Sequence, residues 1–141
     1  MKSYISTSPQ DTQNFAKKIL SQLTGGTILG LVGELGSGKT VFVQGLAKAL
    51  GVKKTVNSPT FVLMKIYDIR HMIHDIRQLV HVDAYRINHP QELLDIGLQE
   101  YLGKDDCLVV IEWADKVKKI LPKKTLYIKF KIKSQQRIIA I

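Results

Sequence analysis

Residues 33–40 read Gly-Glu-Leu-Gly-Ser-Gly-Lys-Thr, the pattern G-x-x-x-x-G-K-T of a phosphate-binding loop, or P-loop. Glycines in such a loop let backbone N–H groups surround the α- and β-phosphates of a nucleotide. The lysine, here Lys39, neutralises phosphate oxygens, and the hydroxyl of Thr40 is a ligand for Mg²⁺. These residue types therefore predict binding of a nucleoside triphosphate or diphosphate together with magnesium.

The segments on either side of the loop have the order that this chemistry requires. Residues 27–32 form a short apolar run, which is typical of a buried parallel strand. After the loop, apolar residues recur at helical spacing until Gly51, a residue suited to end a helix. A strand, a glycine-rich loop and a helix in this order would place phosphate at a helix N-terminus.

Strands and helices alternate along the rest of the chain. We predict further strands at 3–6, 61–67, 79–83, 107–111, 125–133 and 137–141, and further helices at 10–23, 90–96 and 115–121. This order predicts an α/β, three-layer P-loop NTPase fold with a mostly parallel central sheet and antiparallel edge strands. We expect residues 1–141 to form a single P-loop ATPase domain.

Residues 68–77 fit this alternation poorly, because they are charged and weakly patterned. We interpret them as a variable surface loop. The segment contains His71 and His74, but no cysteine or further histidine follows with the spacing of a metal site.

Two predicted strands end in a carboxylate. Residues 108–111 are Leu-Val-Val-Ile and precede Glu112, and residues 79–82 are Leu-Val-His-Val and precede Asp83. The carboxyl ends of parallel strands converge on the ligand crevice of a doubly wound sheet. We therefore expect both acids in the site, as groups that hold Mg²⁺ or orient water, with their division of labour left open. The turn Ser58-Pro59-Thr60 is a third candidate, because a loop threonine can sense Mg²⁺ and γ-phosphate.

Charge is concentrated at one end of the chain. Residues 1–115 hold twelve basic and twelve acidic residues, whereas 116–141 hold eight lysines, Arg137 and no acid. This basic end suits nucleic acid or an acidic partner. The alternative, which we favour, is that Lys129, Lys131 and Lys133 form the solvated face of an edge strand, because they alternate with apolar residues.

Other features narrow the class of protein. No apolar run approaches the length of a membrane span, and the first residues lack the apolar core of a secretory signal. The single cysteine, Cys107, lies in an apolar run and excludes a disulfide framework. These features predict a cytoplasmic protein without a membrane partner.

The motifs together resemble a known family. The loop at 33–40, Ser-Pro-Thr-Phe at 58–61, His-Val-Asp-Ala-Tyr-Arg at 81–86 and Glu-Trp at 112–113 are similar to those of TsaE. The resemblance implies a weak Mg²⁺-dependent ATPase, stimulated by partners, that binds ATP and ADP. It further implies a role in forming N6-threonylcarbamoyladenosine at position 37 of tRNA, in concert with the TsaB–TsaD heterodimer, with tRNA reached only through that complex.

The resemblance also implies roles for individual residues. Lys39, Asp83 and Glu112 would be catalytic, and Thr40, Glu112 and Asp83 would serve the metal. Nucleotide contacts would come from Asp11, Gly36, Ser37, Gly38, Lys39, Thr40, Val41, Trp113 and Arg137. Val41 stands where the family usually has a second threonine, which removes a hydroxyl and keeps the backbone N–H. An exposed arginine without a ligand is an equally good interpretation of Arg137.

Three other functions are compatible with a P-loop. A small P-loop kinase is disfavoured because no arginine-rich lid segment is evident. A GTPase is disfavoured because the guanine-reading tetrapeptide Asn-Lys-x-Asp is absent from the sequence. A subunit that binds nucleotide without hydrolysing it, and whose nucleotide state sets its affinity for a partner, stays open.

Overall fold

The computed structural model describes residues 2–141, and within them seven strands form one sheet with the order β1-β7-β6-β2-β5-β4-β3. The strands are β1 (Ser3–Ser6), β2 (Ile28–Val32), β3 (Met64–Ile73), β4 (Ile76–Asp83), β5 (Cys107–Glu112), β6 (Leu126–Lys133) and β7 (Gln136–Ala140). Strands β4, β5, β2 and β6 run parallel, whereas β3, β7 and β1 are antiparallel to their neighbours. The predicted mostly parallel sheet with antiparallel edges is therefore confirmed.

Helices cover both faces of this sheet. On one face lie α1 (Pro9–Leu20) and α2 (Lys39–Ala49), which share a core with β2, β4 and β5. On the other lie α3 (Gln91–Asp95) and two short 3₁₀ helices, Leu98–Glu100 and Ala114–Ile120. The three-layer α/β arrangement predicted from the order of elements is thus present.

Helix α1 begins at Pro9, one residue before the predicted start. The hydroxyl of Ser8 accepts a hydrogen bond from the backbone N–H of Asp11, and Pro9 occupies the first turn. The helix ends at Leu20, three residues before the predicted end.

No described helix is both long and apolar enough to cross a membrane.

The interpretation of residues 68–77 as a surface loop was wrong. Strand β3 continues to Ile73, and β4 begins at Ile76, so these residues form a β-hairpin. Tyr67 and Ile69 are buried, while the charged residues between and after them face solvent. Those exposed charges hid the period of two in the sequence. At the hairpin tip, His74 Nδ1 lies 3.1 Å from the carbonyl oxygen of Leu20, at the end of α1.

The basic C-terminal hairpin has the alternation expected of one wet and one dry face over most of its length. Ile128 and Phe130 are buried, and Lys129, Lys131 and Lys133 are exposed. However, β6 is an internal strand rather than an edge strand, since it lies between β7 and β2. Its lysines are exposed because the second helical layer packs mainly over β2, β5 and β4.

Candidate nucleotide-binding and catalytic site

The P-loop connects β2 to α2 and forms a cradle of backbone N–H groups. Gly38 precedes the helix with φ +102°, a conformation that favours glycine, and the helix has no side-chain cap. The first N–H groups of α2 therefore remain available to an anion. A side chain at Gly33 would meet the Phe130 carbonyl oxygen and the Ser37 hydroxyl at 2.7 Å, so the loop also packs tightly beneath the cradle.

Lys39 is buried at the base of the cradle. Its ammonium group donates to the carbonyl oxygens of Gly33 and Glu34 at 2.5 and 2.9 Å, and it lies 4.1 Å from the centre of the Trp113 ring. Burial lowers the pKa of Lys39, an effect opposed by the negative charges of Glu112 and Asp83. A buried cation attracts phosphate oxygens more strongly than a cation in bulk water does.

Thr40 and Glu112 meet across the site. Thr40, the second residue of α2, donates its hydroxyl proton to Glu112 Oε1 at 2.7 Å. Glu112 is the last residue of β5 and is only 2% exposed. A hydroxyl and a carboxylate at this separation can together hold Mg²⁺ or the water molecules bound to it.

Asp83 ends β4 directly beside Glu112, because these two residues pair in the register of β4 and β5. Its Oδ2 accepts hydrogen bonds from the hydroxyls of Ser58 and Thr60, and Oδ1 accepts one from the backbone N–H of Tyr85 at 2.8 Å. The Ser58-Pro59-Thr60 turn is therefore tied to the predicted catalytic carboxylate.

His81 is a site residue to which the sequence analysis gave no role. It lies in β4, two residues before Asp83, and is fully buried. Its Nε2 lies 2.5 Å from Glu112 Oε2, within hydrogen-bonding distance. The signal in the sequence was a polar residue inside an apolar strand, at the spacing that puts two side chains on one face.

Trp113 forms one wall of the cleft. It follows Glu112 directly and adopts φ +60°, an uncommon conformation for a residue with a side chain. Its ring stacks on that of Tyr85 with 4.9 Å between ring centres, and Lys116 donates to the Tyr85 carbonyl oxygen at 2.6 Å. Trp113 thus contacts the P-loop lysine on one side and the segment after Asp83 on the other.

A cleft of about 300 Å³ is lined by the P-loop and by Ser58, Thr60, Asp83, Tyr85, Glu112 and Trp113. A second cavity of about 160 Å³ adjoins it and shares Gly36, Gly38 and Val41 with it. The second cavity lies between the P-loop, the start of α1 and the turn before β7. Its position beside the phosphate cradle suits the nucleoside part of a nucleotide.

Arg137 and Asp11 sit differently around this second cavity. Arg137 lines it, and the Nε of Arg137 donates to the carbonyl oxygen of Gly36 at 3.1 Å. Asp11 is partly exposed, and its carboxylate accepts hydrogen bonds from the hydroxyl and the backbone N–H of Thr7. These hydrogen bonds, the hydroxyl's first, lower the pKa of Asp11. The carboxylate therefore orders the segment before α1, several of whose residues line the cavity.

The donor set fits magnesium with a polyphosphate. Thr40, Glu112 and Asp83 offer oxygen ligands, which Mg²⁺ prefers, and Mg²⁺ usually takes its remaining ligands from water and phosphate. Within residues 2–141 no three His, Cys, Asp or Glu side chains cluster closely enough to hold a metal by themselves. Both the oxygen donors and the lack of a complete side-chain cluster among the described residues fit a site in which nucleotide phosphates supply some of the metal ligands.

The sheet order, the cradle before α2 and the paired acids at the ends of β4 and β5 define a protein of the P-loop NTPase-like class. A family model described as "Threonylcarbamoyl adenosine biosynthesis protein TsaE" matches residues 6–139. The chain belongs to the TsaE family.

Curated relatives agree with this assignment. The tRNA threonylcarbamoyladenosine biosynthesis protein TsaE of Bacillus subtilis is 40% identical over 124 residues, which are 87% of this chain and 73% of the relative. The protein of the same name from Treponema pallidum is 37% identical over 129 residues, covering 91% of this chain and 90% of the relative.

A solved structure extends the similarity to the fold. The crystal structure of Bacillus subtilis YdiB superimposes with a TM-score of 0.79 at 29% sequence identity. The match covers 98% of this chain and 82% of that one.

Proposed function

We propose that this protein is a cytoplasmic Mg²⁺-dependent ATPase that acts with the TsaB–TsaD heterodimer in forming N6-threonylcarbamoyladenosine at position 37 of tRNA. The observation that carries the ATPase proposal is the hydrogen bond between Thr40 and Glu112 inside the P-loop cleft. It joins the hydroxyl of a phosphate-binding loop to a buried acid, as a metal-dependent phosphoryl site requires. The tRNA pathway is inferred from the names of the relatives.

In this proposal the two adjoining cavities bind the two halves of ATP. The backbone N–H groups at the start of α2 bind the phosphates, and Lys39 leaves the carbonyl oxygens of Gly33 and Glu34 to neutralise them. The adenosine lies in the second cavity, against Arg137 and the segment before α1 that Asp11 orders. ADP binds in the same way without the γ-phosphate.

The two acids divide the hydrolytic work. Magnesium, when bound, neutralises charge that develops on the phosphate oxygens. Glu112 and Thr40 hold the position at which it binds, because they already meet there. Asp83 accepts the proton of the attacking water, or orients that water, after Ser58 and Thr60 have released its Oδ2.

Exposed apolar residues at the cleft, or next in sequence to residues that line it, form a candidate partner surface. Phe61 is 84% exposed beside Thr60, Val62 follows it, and Leu35 projects from the P-loop with 69% exposure. Apolar side chains grouped at the mouth of a site suit a docking partner. Because the Ser58–Thr60 turn contacts Asp83, a partner bound to Phe61 can alter hydrolysis, which supports a weak ATPase that its partner stimulates.

One observation favours the second candidate function, a nucleotide-gated docking subunit that does not hydrolyse ATP. Both oxygens of Asp83 are engaged, by Ser58, Thr60 and the backbone of Tyr85. If the loop keeps hold of Asp83 when ATP is bound, no free carboxylate activates water. The nucleotide would then serve only to set the affinity for a partner.

Reconstituted tRNA modification tests the proposal. This protein, TsaB–TsaD, a threonylcarbamoyl donor and unmodified tRNA are mixed, with tRNA in excess over the complex. We expect several rounds of modification per complex with this protein and no more than one round without it. Equal yields in the two mixtures would refute the role in the pathway. Lys39→Ala is the matched control for dependence on nucleotide.

A further inference from the structure

We propose that His81 is a positioning residue that fixes the orientation of Glu112 for the metal-nucleotide complex. The inference rests on the proposed function, since it concerns the same site. His81 touches neither of the cavities described above, so it acts through the carboxylate. Its role is to hold one oxygen of Glu112 so that the other faces the P-loop.

The carboxylate of Glu112 is anchored at both ends. Oε2 is bound by His81 Nε2 at 2.5 Å, and Oε1 is bound by the Thr40 hydroxyl at 2.7 Å. The histidine is fully buried and the glutamate is 2% exposed, so water does not compete for the first of these bonds. With one oxygen held by His81, the other is the one presented to Thr40 and to the metal position.

The surroundings of the imidazole decide its tautomer. Nδ1 of His81 is buried and has no hydrogen-bond partner among the described residues. Burying an N–H group without an acceptor costs more than burying a nitrogen lone pair. The proton therefore belongs on Nε2, and His81 donates it to Glu112. Histidine and carboxylate pairs in which one partner orients the other are common around protein metal sites.

Without this anchor Glu112 has a competing partner. Lys39 is close enough for the Glu112 charge to oppose the effect of burial on the lysine pKa. In a dry site two opposite charges attract strongly. A carboxylate released by His81 can rotate toward the ammonium group and leave Thr40, and the metal position would then be lost.

The pairing of β4 with β5 places His81 within reach of the Glu112 carboxylate. Residues 81 and 83 lie on the same face of β4, two apart, and β4 pairs with β5 so that Asp83 is opposite Glu112. His81 therefore lies two residues further from the end of β4 than Asp83 does. It pairs with Val110 and is diagonal to Glu112. Strand β4 thus supplies both Asp83, which lines the cleft, and His81, which holds Glu112 of the neighbouring strand.

The test compares His81→Leu and His81→Gln. Leucine removes the donor and keeps an apolar filling, whereas glutamine places an amide N–H near the position of Nε2. Mn²⁺, which favours the same oxygen ligands as Mg²⁺, is titrated by electron paramagnetic resonance in the presence of a non-hydrolysable ATP analogue. Binding of the analogue without metal is measured in parallel as the control.

We expect His81→Leu to weaken Mn²⁺ binding by about 10- to 100-fold, the range found for groups that orient metal ligands. Binding of the analogue without metal should change much less, and His81→Gln should retain most of the metal affinity. Wild-type Mn²⁺ affinity in His81→Leu would overturn the inference. If that variant does not fold, His81→Asn replaces it, because its amide is equally polar but too short to reach Glu112. Equal Mn²⁺ affinity in His81→Asn and His81→Gln would likewise overturn the inference.

The Mn²⁺ titration does not depend on hydrolysis, so it tests this inference separately from the proposed function. Failure of the wild-type protein to hydrolyse ATP with its partners would refute the ATPase proposal and leave the metal titrations readable. A second readout needs no nucleotide: the ¹⁵N chemical shifts of His81 should show the Nε2–H tautomer and should move in Glu112→Gln. Shifts typical of an Nδ1–H tautomer would contradict the inference.

Discussion

Thr40 and Glu112 are 72 positions apart in the sequence, and the Thr40 hydroxyl donates a hydrogen bond of 2.7 Å to Glu112. The contact joins the first turn of α2 to the last residue of β5. Because β2 and β5 are paired in parallel, the P-loop and the end of β5 emerge at the same edge of the sheet. The proposed metal position is therefore built by strand pairing rather than by local sequence.

The Thr40 hydroxyl can be removed without a change of shape. Thr40→Val should lower metal-dependent nucleotide affinity by about 10- to 100-fold, because it deletes a hydroxyl from the metal position and releases Glu112 Oε1. Thr40→Ser keeps the hydroxyl and should stay close to wild type. Calorimetric titration with a non-hydrolysable ATP analogue, with and without Mg²⁺, checks this. Similar loss of affinity with and without Mg²⁺ would contradict a role in metal binding.

Glu112 and Asp83 should differ in what their amide variants lose. Glu112→Gln should weaken metal dependence together with turnover, since Glu112 contacts Thr40. Asp83→Asn should leave Mg²⁺–nucleotide affinity nearly unchanged and reduce kcat by about 100-fold or more, as expected for a group that activates water. Single-turnover hydrolysis and nucleotide binding are measured for both variants. If Asp83→Asn lost metal affinity and Glu112→Gln lost only turnover, Asp83 would be the metal-binding acid and Glu112 the group that activates water.

The exposed ring of Phe61 should matter only for the partner. Phe61→Ala should weaken binding to TsaB–TsaD by about tenfold or more, as for other exposed aromatic anchors, and leave nucleotide affinity unchanged. Met72→Ala is the matched control, because Met72 is 51% exposed in the β3–β4 hairpin, far from the cleft. Biosensor measurements of complex formation compare the two. Equal effects of the two variants would show that Phe61 is not part of the surface that binds the partner.

The buried thiol predicts how stability changes in alkali. Burial, with a smaller effect of Asp106, raises the pKa of Cys107 from 9.0 to about 11. A raised pKa in the folded state means that Cys107 favours folding fully below pH 9 and loses this contribution as the pH rises toward 11. Urea unfolding at several pH values should therefore show a steeper fall for wild type than for Cys107→Ala. Parallel curves for the two proteins would contradict this.

The sequence predicted the parts of the site that depend on local pattern. The G-x-x-x-x-G-K-T motif located the cradle, and two apolar runs ending in acids located Asp83 and Glu112. Their adjacency followed from the rule that parallel strands present their carboxyl ends together. The structure puts these groups on one cleft, as that reasoning required.

Contacts between distant segments were beyond this reasoning. The bond between His81 and Glu112 depends on the register of β4 against β5, which the sequence pattern does not fix. The contact of Arg137 with Gly36 spans 101 positions. The β3–β4 hairpin was missed because charged residues alternate with the buried Tyr67 and Ile69. In each case tertiary packing, rather than local preference, determined the outcome.

Steady-state ATP hydrolysis is the most direct test of the central claim. The rate is measured for the purified protein alone and with TsaB–TsaD and tRNA, each with a Lys39→Ala control. We predict slow hydrolysis alone, a marked increase with the partners, and loss of both in Lys39→Ala, since Lys39 lies in the phosphate cradle. Tight, Mg²⁺-dependent nucleotide binding with no hydrolysis in any mixture would contradict the ATPase and leave a nucleotide-gated docking subunit.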